Sequence, residues 1–186
     1  MIRYLLIFPL FLITNQIFSQ TIKWSLDSND SFISYDGEHF LHSWSGKNEI
    51  IRGVIIENLE EKKFKQIALA MFVKDFDSGN GNRDSNMLEI LEVIKFPKIE
   101  YYSNRISLDK DKILFSGNLN FHGISRDLNI TSEIKKTKNI LVLSGEFNFS
   151  LVDHNVKLPS FMMRSINKDV LIKYQLIFNK IDNQNL

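Results

Sequence analysis

Cysteine is absent from all 186 residues, so an exported form of this chain can have no disulfide and no lipidated cysteine to tether it. An excess of one charge sign is missing too. Lys and Arg number 23 against 22 Asp and Glu, and Arg3 is the one charged residue among the first 19. The remainder is neutral, and a neutral chain lacks the long-range field that nucleic acid or an anionic membrane would require. There is no Gly-x-Ser-x-Gly elbow, no phosphate-binding glycine loop and no dinucleotide fingerprint. Ser43 beside His42 and Ser125 near His122 come nearest to a nucleophile with its base, yet such neighbours on a strand point apart. His39 and His42, three apart, would likewise face opposite ways on one strand, though a loop could bring them together; His122 lies by a hairpin and His154 stands alone beside Asp153. These absences predict no catalytic residue, no cofactor and no metal.

Long apolar runs are also lacking. The longest, Tyr4 to Ile13, is interrupted by Pro9 and is too short for the roughly 30 Å of a bilayer core. Following Met1, Ile2 and Arg3, it has instead the profile of a signal peptide, and Ser19 is a small residue of the kind read before a cut. Residues 1–19 are therefore expected to be a leader. Residues 20–186 are expected to form one mature domain, periplasmic or secreted, without a permanent membrane anchor.

What the chain does have is phenylalanine, fifteen in all, and period-two alternation. Ile113, Phe115, Gly117, Leu119 and Phe121 alternate with Leu114, Ser116, Asn118, Asn120 and His122, mostly polar. After a turn at Gly123, Leu128 and Ile130 resume the pattern, as do Leu141, Leu143, Phe147, Phe149 and Leu151, and then Val170, Ile172, Tyr174, Leu176 and Phe178. Less regular strands are expected at Thr21 to Leu26, Ser31 to Gly37, Glu49 to Ile56, Gln66 to Lys74 and Lys98 to Leu108. With about nine strands and short connections rich in Asn, Asp, Gly and Lys, the expected class is all-β and antiparallel, closed as a barrel or paired as a sandwich. One segment departs from this rhythm. Met87, Ile90, Leu91 and Ile94 recur at helical spacing, predicting a short helix capped by Asn86 and ended before Pro97.

Four segments carry a resemblance. Asp77 to Asp84 is a Gly-Asn loop followed by Arg83 and Asp84; Lys95, Phe96 and Pro97 lead into a strand; the hairpin runs Gly117, Asn118, Leu119, Asn120, Phe121, His122, Gly123, Ile124, Ser125, Arg126; and Lys168 to Ile172 opens the last strand. In content and order these resemble the YceI family of exported lipocalin-like proteins. Asn86 stands where many members have His, and the stretch from Arg83 to Pro97 is about two residues shorter than in the best-known members. The resemblance implies an extended eight-stranded antiparallel barrel with one short helix near its mouth. It also implies a lipid partner: a long-chain isoprenoid, quinone or fatty amide held in an apolar tunnel.

Periodicity alone leaves two readings of the interior, because an eight-stranded barrel is near the size at which side chains either fill the inside or leave room for one small ligand. A solid interior suits an interaction or stress-related structural protein at the cell envelope. A hollow one suits a non-catalytic carrier. For the second reading, strand parity selects Phe115, Leu119, Leu143, Phe147, Ile172, Tyr174 and Leu176 as ligand contacts. Arg126 shares parity with Leu128 and Ile130 and would point inward near a barrel end, meeting either a carboxylate or a ligand head group. The Tyr174 hydroxyl would need a partner if buried, and a lipid head group could supply it. Arg83 and Asp84 are expected to fix their loop.

Overall fold

A strand that is apolar on one face and polar on the other buries the first most completely when its sheet curls round to meet itself. The computed structural model, which describes residues 21–39, 42–161, 164–165 and 167–181, has this form. Strands β1 (Thr21–Leu26), β2 (Phe32–His39), β3 (His42–Asn48), β4 (Ile51–Asn58) and β5 (Lys63–Phe72) precede a helix, α1 (Gly81–Ile90). Strands β6 (Lys98–Asp109), β7 (Lys112–Phe121), β8 (Ile124–Lys136) and β9 (Ile140–Ser150) follow it. The short β10 (Ser160–Phe161) and β11 (Arg164–Ser165) then lead to β12 (Asp169–Ile181). Hydrogen bonding runs β1-β4-β5-β6-β7-β8-β9-β12, and β12 returns to β1, so eight antiparallel strands close a ring. Where β1 leaves β12 at Leu26↔Phe178, β2 takes over at Phe32↔Gln175, and β3 pairs with β2. The pair β2–β3 thus heightens one side of the barrel. The expected class, an extended eight-stranded all-β barrel with one short helix, is the class observed; the expected leader, residues 1–19, lies outside the described residues.

The β7–β8 hairpin closes by a two-residue turn in which His122 (φ 51°) and Gly123 (φ 72°) both have positive φ, the geometry that matches the twist of adjacent strands. A Cβ at position 123 would lie 2.4 Å from the Phe96 ring, so glycine is required twice, for dihedral and for space.

Three expectations need correction. Strand β3 was not expected, because His42, Ser43, Trp44, Ser45, Gly46, Lys47 and Asn48 hold a single large apolar residue and give no alternation. With β3 present, His39 and His42 are backbone partners across a hairpin rather than neighbours along one strand. The helix begins at Gly81, six residues before the expected start, because Asn80 rather than Asn86 caps it, its Oδ1 accepting from Arg83 N–H at 3.1 Å. It also ends early. Glu92 takes φ 45°, the chain turns, and Ile94, read as part of the apolar stripe, is 99% exposed.

Candidate functional site

Inward side chains form two packed clusters with a space between them. One cluster fills the end of the barrel that carries the β4–β5, β6–β7 and β8–β9 turns and includes Trp24, Ile55, Phe64, Leu141 and Phe178. Here Trp24 Nε1 donates to Glu57 Oε2 at 3.0 Å, and Lys136 pairs with Glu57 while its ammonium sits 5.5 and 5.3 Å from the Trp24 and Phe64 ring centroids. A buried carboxylate is tolerable only with such compensation. The second cluster, Phe121, Phe149, Val156 and Val170, lies at the opposite end, against Ile90 and Leu91 near the end of α1 and Leu151 and Leu158 from the connection after β9.

The space between is a cavity of about 290 Å³. That is over an order of magnitude above the roughly 10–15 Å³ that holds one water, so side chains do not fill this barrel. Its wall is apolar almost throughout. Phe115, Leu119, Leu143, Phe147, Ile172, Tyr174 and Leu176, selected by parity, all lie on it.

Arg126 does not. It stands opposite Leu119 in the β7–β8 register, so its inward parity is real, but it is exposed, is absent from the wall and has no carboxylate within ion-pair distance among the described residues. Beyond Leu128 the strand has reached the rim, and parity points at an interior that has ended.

The Tyr174 hydroxyl is also placed differently from expectation. It lies 2.7 Å from Ser132 Oγ and 3.5 Å from the Thr131 carbonyl, so the protein itself satisfies it. Gly145, directly across in β9, leaves room for that phenol; a Cβ there would come within 2.6 Å of its oxygen. Tyr101 behaves similarly, its hydroxyl 3.1 Å from both the Phe115 and Leu128 carbonyls. Burial raises the pKa of Tyr101 and Tyr174. Burial raises that of Tyr35 as well, with the Asp84 charge adding and the Arg83 charge offsetting. All three phenols stay neutral at physiological pH and offer hydrogen bonds, not nucleophiles.

Several wall residues escaped sequence reading. Tyr35 and Trp44 come from β2 and β3, Arg83, Asn86 and Met87 from α1, and Val156, Leu158 and Pro159 from an aperiodic connection. The Arg83–Asp84 pair divides its work. Asp84 fixes the loop, accepting from Ser78 N–H at 3.1 Å, while half-buried Arg83 faces the cavity. Among the described residues no group of three His, Cys, Asp or Glu side chains could hold a metal ion, and no helix is long and apolar enough to cross a membrane.

Solved structures share this architecture at low sequence identity. Burkholderia cenocepacia BcnA superposes with a TM-score of 0.73 at 14% identity, covering 82% of this chain and 98% of its own. A polyisoprenoid-binding domain from Saccharophagus degradans, implicated in plant cell wall breakdown, gives 0.67 at 12%, covering 85% and 98%. The YCEI protein of Campylobacter jejuni gives 0.63 at 17%, covering 74% and 85%. No curated protein matches by sequence. A family model described as YceI-like domain matches residues 24–178, from the first strand of the ring into the last, and by that match the chain belongs to the YceI-like family.

Proposed function

We propose that this protein is a non-catalytic carrier that encloses a long-chain amphipathic lipid, an isoprenoid, quinone or fatty amide, in the cavity of its barrel. The observation that carries the reading is an apolar void of about 290 Å³ between two packed ends. Desolvation alone suffices as a mechanism. At about 25 cal/mol per Å², burying roughly 400 Å² of hydrocarbon contributes on the order of 10 kcal/mol before the costs of binding. The Saccharophagus domain of the same fold, a polyisoprenoid-binding domain, supports the same class of ligand. The leader-like start, Met1 to Ser19, supports work in the periplasm or outside the cell.

The experiment is native mass spectrometry on protein taken from the envelope fraction of its own source, with N-terminal sequencing of the same material. A mature chain starting near Gln20 and carrying a lipid adduct is expected. Protein without lipid would overturn the carrier reading, and an intact leader in the membrane fraction would overturn release from the membrane. Leu143, 1% exposed on the cavity wall, provides the matching variant. Leu143→Trp should displace the lipid and leave the barrel folded. Against a solid interior the same overpacking would cost about 1–3 kcal/mol of stability instead.

A further inference from the structure

Trp44 aside, the hydrogen-bonding side chains on the cavity wall fall into two sets. Tyr101, Tyr174 and Ser132 are deep and mutually or internally satisfied. The other set stands where α1 meets β2: half-buried Tyr35 and Arg83, and the more exposed Asn86. Among the described residues none of these three side chains makes a hydrogen bond or ion pair. Asp84, beside them, accepts from the Ser78 N–H, and its charge is felt at the Tyr35 phenol against that of Arg83. The site therefore presents a planar guanidinium, a phenol and an amide, none with a hydrogen-bond or ion-pair partner among the described residues, at one edge of an otherwise apolar wall. A guanidinium fork matches the two oxygens of a carboxylate or phosphate, and this match is stronger than one to a neutral carbonyl.

We propose that Arg83, with Tyr35 and Asn86 beside it, is the head-group site of the carrier, and that the ligand bears an oxyanion, a carboxylate or a phosphate ester, at the end of its apolar chain. This rests on the carrier reading. It also orients the ligand, with the head held by α1 and the tail directed toward the packed end at Trp24.

The test uses the purified protein stripped of endogenous lipid and three probes with one chain length: palmitate, hexadecyl phosphate and hexadecanol. Palmitate or hexadecyl phosphate should bind at least tenfold more tightly than hexadecanol, and the tighter of the two tells carboxylate from phosphate. Arg83→Gln should bring that ratio close to one, Arg83→Lys should keep part of it, and Tyr35→Phe should lower it less than Arg83→Gln. Equal affinities in the parent protein, with the alcohol bound, would overturn the head-group site and leave the carrier intact. So would a ratio that survives in a folded Arg83→Gln variant. Failure of all three probes to bind would overturn the carrier reading and this one with it.

Discussion

His154 lies between Phe121 and Phe149, with ring centroids 5.6 and 4.9 Å away, and neither of its nitrogens has a hydrogen-bond partner among the described residues. Burial pushes its pKa down, and the Arg126 and His122 side chains push the same way, against the Ser150 carbonyl and Asp153. The unfolded chain, with its ordinary value near 6.5, therefore takes up the proton before the folded chain does. His154 contributes its full share of stability above pH 6.5, and this is lost as the pH falls from there toward the depressed folded value. In a pH series of thermal melts, Tm should fall below pH 6.5 more steeply for the parent than for His154→Phe, which keeps the aromatic packing. Parallel acid limbs would show that His154 does not titrate on unfolding. At this scale the sequence is legible wherever strand parity applies. Leu143 and Ile172 share a strand face with other apolar residues and reach the wall, whereas Arg126, on the same face as Leu128 and Ile130, misses it, since parity gives direction and not depth.

Among the elements, the β7–β8 hairpin is specified most locally. Its turn needs two positive φ values, and His122 accepts one of them because its ring is held from several sides: Nδ1 lies 2.9 Å from the His154 carbonyl, and Phe96 stands edge-on with centroids 4.7 Å apart. Nε2 lies 3.1 Å from Glu92 Oε2, short of hydrogen-bond geometry. Gly123→Val adds a β-branched side chain where φ is 72° and the Phe96 ring is already in contact. The loss should be at least about 2 kcal/mol, or roughly 4–8 °C in Tm for a chain of this length, read by calorimetry. A melt within a degree of the parent would refute the turn geometry. This hairpin was legible because turn chemistry and alternation agree over a few residues. Strand β3 was not, since it is held by pairing to β2 rather than by its own pattern. The helix was legible in its last turn, at Met87, Ile90 and Leu91, but its start depended on a capping side chain, Asn80, set before any apolar spacing begins.

For the whole molecule, the ring could be read in outline from the count and amphipathicity of the strands, and its emptiness could not. A void depends on side-chain volumes summed across eight strands, a lid helix and the aperiodic connection 151–159, and no local pattern reports that sum. Its closure has a further consequence. Lys23 in the first strand lies directly opposite Ile181 in the last, so the two ends of the fold are neighbours. A closed circle has no natural starting point, and where the chain begins is an accident of the gene rather than a demand of the sheet. A circularly permuted protein, with a short Gly-Ser bridge joining residue 181 to residue 21 and new ends at the turn between Asp109 and Lys112, should melt cooperatively and keep the circular dichroism of the parent. If it does not, the seam between first and last strands has to form early, and the order of the strands along the gene matters to folding after all.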